Sequence, residues 1–212
     1  MGNAITDPLQ GYLDGLVAPR PAELAAMEAH ASAEGFPIIG PACGQVCYQI
    51  ARLAGARRIF ELGSGFGYST AWLARAVREN GGGQVHHTVW DAELSAQAKG
   101  HLAALGLDDL VRFHCTEAVA ALRATAGPFD LIFSDIDKED YPSSLTVIEE
   151  RLRPGGVLIV DNMLWGNRIF DPAASDPATE GVRALTRLIA DSDDWTGSIL
   201  PIRDGLLLAT RR

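Results

Sequence analysis

The sequence predicts an α/β protein: a mostly parallel sheet with helices on both faces, preceded by an N-terminal helical extension. Three observations carry this. From Arg57 onward, short apolar runs alternate with amphipathic stretches of helical length. The turns between them are short, and strand–helix alternation with short turns builds a parallel sheet covered on both sides. The first 55 residues show helical patterning and no such runs. A length of 212 residues suits one domain, so 1–212 is read as a single unit, with 1–55 as the extension and 56–212 as the core.

The elements follow in order. Pro21 to Glu34 reads as a helix, with proline at its start and Gly35 past its end. Pro41 to Ala54 reads as a second, stopped by Gly55. Strands are predicted at Ile59 to Leu62, Val85 to Trp90, Leu110 to Phe113, Phe129 to Ser134 and Val157 to Val160. Helices are predicted between them at Tyr68 to Glu79, Leu94 to Leu105, Ala118 to Thr125 and Tyr141 to Leu152. Trp165 to Pro177 is irregular, with two prolines and several small residues. A helix at Thr179 to Asp191 and strands at Gly197 to Pro201 and Leu206 to Thr210 close the chain. Asp204-Gly205 is a hairpin-turn pair between those strands.

Composition excludes several classes of function. Hydrophobic residues make up 47% and charged residues 21%, which is ordinary for a globular chain. Eighteen Lys and Arg against 27 Asp and Glu leave a net charge of −9, with no basic patch for a nucleic acid. The longest charge-free stretch, Gly35 to Ala51, is broken by Pro37, Pro41, Gln45 and Gln49, so a membrane span is not expected. No basic cluster precedes an apolar run at the N-terminus, and the three cysteines match no zinc spacing. Cys43 and Cys47, four apart on a helix, read as buried free thiols in a reducing cytoplasm. A small-molecule partner fits best.

Glu61-Leu62-Gly63-Ser64-Gly65-Phe66-Gly67-Tyr68-Ser69 follows a strand and opens a helix. Glycines let a ligand approach the backbone, and a helix N-terminus offers free N–H groups. A dinucleotide fingerprint needs its third glycine where Tyr68 stands. Glu61 would repel a phosphate and meet an ammonium. A ligand with both an amine and a carboxylate suits this better, and the pattern resembles that of class I S-adenosylmethionine-dependent methyltransferases, which implies a Rossmann-like, seven-stranded, mostly parallel sheet. The position of the acid that usually binds ribose falls on Val89; Asp91, two residues on, either does that work or the contact is lost. Trp90 reads equally as an aromatic face for adenine or as a core residue. Thr116-Glu117-Ala118 falls where this fold lines the adenine edge.

Two further strand ends carry acids, Asp135 and Asp161, the second followed by Asn162. Two carboxylates and an amide oxygen form a hard ligand set for Mg²⁺, Mn²⁺ or Ca²⁺. Ser134-Asp135-Ile136-Asp137-Lys138-Glu139-Asp140-Tyr141 and Val160-Asp161-Asn162-Met163-Leu164-Trp165, with Gly44-Gln45 and Gly67-Tyr68-Ser69, resemble the cation-dependent O-methyltransferases. That family includes the caffeoyl-coenzyme A and catechol enzymes. The likeness runs from about Ile39 to the C-terminus.

The resemblance implies a metal on Asp135, Asp161 and Asn162, chelating an acceptor with two adjacent oxygens. It implies Asp135 and Lys138 as catalytic, Lys138 being the general base; the bland reading is a solvated lysine. It implies cofactor contacts from Ile39, Gly40, Glu61, Gly63, Ser69, Asp91 and Asp135, and acceptor contacts from Trp165 and Asn167. A homodimer and a phenolic small-molecule substrate follow from the same resemblance. Two other readings keep part of the pattern: a non-aromatic chelating acceptor such as a hydroxy acid thioester or hydroxamate, and a non-catalytic S-adenosylmethionine-binding protein. His86 and His87, adjacent on a strand, face opposite sides and cannot share one ion.

Overall fold

The computed structural model describes residues 7–212. Three helices lead: α1 (Asp7–Gly15), α2 (Ala22–Glu34) and α3 (Gly40–Leu53). Gly35 ends α2 in the left-handed conformation that a residue with a Cβ avoids. The alternating part follows as β1 (Arg58–Leu62), α4 (Tyr68–Glu79), β2 (Gln84–Thr88), α5 (Ala92–Ala104), β3 (Val111–His114), α6 (Ala118–Ala124), β4 (Phe129–Ser134), α7 (Tyr141–Arg151) and β5 (Leu152–Val160). A short 3-10 helix, Trp165–Phe170, leads to α8 (Pro177–Ala190), and β6 (Trp195–Leu200) and β7 (Leu206–Arg211) close the chain.

The seven strands form one sheet in the order β3-β2-β1-β4-β5-β7-β6. The pairs from β3 to β5 are parallel, and β7 runs antiparallel to both β5 and β6. The fold class expected from the sequence is therefore the one observed. Strand residues alternate between two cores. Ile59, Leu131, Phe133, Val157 and Ile159 pack with α2, α3 and α4 on one face; Phe60, Leu62, Ile132, Leu158 and Val160 pack with α6, α7 and α8 on the other. Burying each such side chain contributes about 1.5–3 kcal/mol, so register is strongly specified.

Boundaries shifted in places. β2 ends at Thr88 rather than Trp90: the Val89 amide still donates to the His114 carbonyl at 3.1 Å, and Trp90 lies beyond the strand end. β5 starts five residues early, at Leu152, where the chain joins β4 before the register shift near Phe129 and Leu131. Arg203, Asp204 and Gly205 do not form a two-residue hairpin turn. The connection runs from Pro201 to Gly205, with Arg203 itself left-handed at φ 50°.

Strand order positions the site. From β1 the chain steps outward to β2 and β3, then returns to the other side of β1 with β4 and β5. The order reverses between β1 and β4, and open α/β sheets bind ligands at the carboxyl ends of strands beside that reversal.

Candidate active site

Hydrogen bonds lace the strand ends together one residue beyond the sheet. The Asp135 amide donates to the Leu62 carbonyl at 2.8 Å, and the Asp161 amide to the Ser134 carbonyl at 3.0 Å. The Ser64 amide donates to the Thr88 carbonyl at 2.8 Å, and Thr88 N to Ser64 Oγ at 3.0 Å. A cavity of about 740 Å³ opens over these ends.

At one end of the cavity lie Gly63, Ser64, Gly65, Ser69 and Ile39. Gly63 has φ 81°, and a Cβ there would fall 2.5 Å from the Asp135 backbone oxygen, so only glycine lets β1 and β4 approach this closely. Trp90, 79% exposed, lines the same end with Thr116, Glu117 and Ala118. The core reading of Trp90 is thus overturned: β2 ends before it, and the ring stands at the mouth.

Several residues expected here sit behind the lining. Glu61 is buried and accepts a hydrogen bond from Thr70 Oγ1 at 2.5 Å; Thr70 in turn contacts His87 Nδ1 at 3.0 Å. Burial raises the Glu61 carboxyl to about 7, although the hydroxyls of Ser69, Thr70 and Ser64 pull the other way. Its Oε1 has no partner. Gly40 and Asn167 also lie outside the lining. Asp91, expected at the ribose, is outside it too: its Oδ1 accepts from the Glu93 and Leu94 amides and caps α5. The Glu117 carboxylate lines the cavity while capping α6 through the Val119 and Ala120 amides.

The other end is built from charged side chains. Asp135, Lys138, Asn162, Trp165, Arg203 and Asp204 line it. Lys138 Nζ donates to Asp135 Oδ1 at 2.7 Å and lies 5.5 Å and 5.6 Å from the Tyr141 and Trp165 ring centres. Its side chain is 12% exposed, which removes the solvated-lysine reading. Gly181 of α8 allows this turn: a Cβ there would fall 2.0 Å from the Lys138 carbonyl oxygen.

Asp161 is 1% exposed. Its Oδ2 accepts from Arg203 Nη1 at 2.8 Å, and its Oδ1 is buried with no partner. Burial, then the negative Asp135 nearby, raises its carboxyl to about 6, against the opposing pull of Arg203. Tyr141 Oη donates to the Asp161 carbonyl at 2.9 Å and fixes the backbone. Asn162 has φ 60°, an unfavourable conformation for a side chain that carries a Cβ. The β6–β7 loop holds it: the Met163 and Leu164 amides donate to the Gly205 and Asp204 carbonyls at 2.9 Å and 2.8 Å, and Gly166 N donates to Asp204 Oδ1 at 2.7 Å.

The sequence marks Asp204 only as a turn residue and gives Arg203 no role in the site. The His86–His114 pair was also missed: Nδ1 and Nε2 lie 2.9 Å apart, inside the β2–β3 pairing. His86 and His87 do face opposite sides, His87 towards Thr70. Cys43 and Cys47 are buried and free, while Cys115 is free and exposed.

The described residues contain no group of three His, Cys, Asp or Glu arranged for a metal. The set present is two carboxylates and one amide, all hard oxygen donors. It fits a divalent cation on one observation: the buried, unpartnered Oδ1 of Asp161 beside a second carboxylate. No described helix is long and apolar enough to cross a membrane.

An α/β sheet with a glycine-lined cavity at its reversal point, and acids at the ends of adjacent strands, defines a Rossmann-like small-molecule-binding domain. Residues 22–212 match a family described as O-methyltransferase, and the chain belongs to that family. A catechol O-methyltransferase of Niastella koreensis is 29% identical over 220 residues, with 99% of each chain covered. The crystal structure of the O-methyltransferase TomG from Streptomyces achromogenes, involved in tomaymycin synthesis and in complex with SAM, is similar at TM-score 0.86 and 30% identity, covering 96% of each chain. The O-methyltransferase from Bacillus cereus in complex with SAH is similar at TM-score 0.87 and 27% identity over 97% of each.

Proposed function

We propose that the chain transfers the methyl group of S-adenosylmethionine to one hydroxyl of a vicinal dihydroxy aromatic, with a divalent cation held by Asp135, Asp161 and Asn162. The observation that carries this reading is the unpartnered, buried Oδ1 of Asp161, which lies behind the cavity lining between Asp135 on the neighbouring strand end and Asn162, both of which line it. S-adenosylmethionine supplies an electrophilic methyl group, and the SAM and SAH bound by two of the similar structures support its use here. A cation on these oxygens would lower the pKa of an acceptor hydroxyl and fix its position.

The chain's own residues do the rest. The Gly63 to Ser69 loop brings backbone close to the cofactor, and Trp90 offers it a flat apolar face at the mouth. Trp165 walls the acceptor end; its buried Nε1 has no partner and is free to donate to an acceptor oxygen. Lys138 Nζ, held beside Asp135, takes the hydroxyl proton as a free amine, once its ammonium has released a proton to solvent. The oxygen so exposed attacks the methyl carbon in line as the methyl–sulfur bond breaks and S-adenosylhomocysteine leaves; aligning both reactants in one cavity can contribute roughly 7–11 kcal/mol.

Lining charge favours an acceptor without phosphates. Lys138 and Arg203, the two cations of the lining, are both engaged by carboxylates, and Glu117, Asp137, Asp140 and Asp204 add negative charge. A free catechol therefore fits better than a coenzyme A thioester. A panel of diphenols and their thioesters, read by mass spectrometry, tests this. Methylated catechol formed with Mg²⁺ and lost with EDTA is expected; undiminished turnover in EDTA refutes the metal role.

A further inference from the structure

We propose that Arg203 is a built-in counter-cation for Asp161, which neutralises that buried carboxylate when no metal is bound and weakens the site's grip on a divalent cation. The inference rests on the metal site proposed above. Three observations carry it. Arg203 Nη1 sits 2.8 Å from Asp161 Oδ2, leaving only Oδ1 without a partner. Both side chains are shielded, at 19% and 1% exposed, so solvent screens the pair poorly. And Arg203 is delivered rigidly. It stands at φ 50°, immediately before the Asp204-Gly205 clamp on the Asn162 turn. A non-glycine residue persists in that conformation only where its surroundings hold it.

Charge then sets the direction of the effect. Asp135, Asp137, Asp140 and Asp204 of the lining and the buried Asp161 are the carboxylates around this end; Lys138 and Arg203 are its two cations. A divalent cation arriving at Asp161 meets a carboxylate already half-committed to a fixed guanidinium, and the two cations repel. Arg203 is thus a positioning residue: it aims Asp161 and sets how much free metal is needed to load the protein.

The test is calorimetric titration of the cofactor-free protein with MnCl₂, together with thermal melts in EDTA and with Mn²⁺. Arg203→Gln keeps a donor for Oδ2 and removes the charge; Arg203→Gly also relaxes the left-handed backbone and serves if the first folds poorly. Either variant should bind Mn²⁺ on the order of tenfold more tightly than the parent chain. Each should melt lower in EDTA and gain more from Mn²⁺. Arg203→Lys, which keeps the charge, should stay within a few-fold of the parent. A neutral variant that binds Mn²⁺ equally or more weakly overturns the inference while leaving the metal site intact. No Mn²⁺ binding by parent or variants removes the metal site itself, and this inference with it.

Discussion

The two ends of the cavity are made of different material. The glycine-loop end is a backbone surface. Gly63 permits the approach of β1 to β4, and the polar side chains nearby are spent on holding main chain: Thr88 on the Glu61 carbonyl, Asp91 on the start of α5, Glu117 on the start of α6. The acid end is a side-chain surface. Asp135, Lys138, Asp161 and Arg203 hold one another, and the backbone beneath them is distorted, with Asn162, Trp165 and Asn167 all at positive φ. The first end depends on shape. The second depends on charge, so it should respond to metal and mutation independently of the first.

The largest effect should come from separating the ends outright. Asp161→Ala removes a carboxylate of the proposed metal site and the partner of Arg203. Methyl transfer should fall about 10³-fold or more, the equivalent of several kcal/mol of lost charge stabilisation. S-adenosylmethionine affinity, measured by calorimetry, should stay within a few-fold. Loss of both together would mean that the ends are one structural unit and that the contrast is wrong.

Glu61 sits beneath the glycine loop and tests the shape-dependent end by pH. Its ordinary value of 4.5 is raised to about 7 in the folded protein, chiefly by burial. The folded state therefore binds this proton more tightly than the unfolded one. Stability contributed here is present below about pH 4.5, declines as pH rises to about 7, and is then level. Glu61→Gln cannot titrate. Its stability relative to the parent should rise across that window by up to about 3 kcal/mol. Denaturant melts at a series of pH values measure it, and a difference that stays constant with pH would show that burial does not dominate at this carboxylate.

The sequence made the shape-dependent end legible as a pattern. A strand, three alternating glycines and a helix start leave little freedom, and the acids at Asp135 and Asp161 could be placed by counting strand ends. What was not legible depends on contacts between distant segments. Arg203 meets Asp161 across 42 positions, and Gly181 meets Lys138 only because α8 folds back over that turn. Nothing local marks such partners. Trp90 was ambiguous for a related reason: an apolar run does not say where its strand leaves the sheet.

Trp90 now gives a sharper measure of the glycine-loop end. It is exposed, so Trp90→Ala should leave the melting temperature nearly unchanged. If the ring stacks on the adenine, cofactor affinity should drop about tenfold, in line with the roughly 1–3 kcal/mol lost when an aromatic under a base is truncated. Calorimetry with S-adenosylhomocysteine reads this without turnover. Unchanged affinity would confine the loop's contribution to the backbone alone.

The smallest effect decides what Asp91 is for. Its Oδ1 accepts two amide hydrogen bonds at the start of α5, and it lies outside the cavity lining. A cap predicts a particular pair of outcomes. Asp91→Ala should cost about 1 kcal/mol of stability, whereas Asp91→Asn, an equally good cap, should cost little. Neither should change cofactor affinity by more than a few-fold. A ribose ligand predicts the reverse for asparagine, because the amide replaces one acceptor oxygen with a donor: stability would hold while affinity fell by tenfold or more. Asp91→Asn thus separates the two roles in one protein, and it asks whether any side-chain charge at this end of the cavity acts on the ligand rather than on the chain that surrounds it.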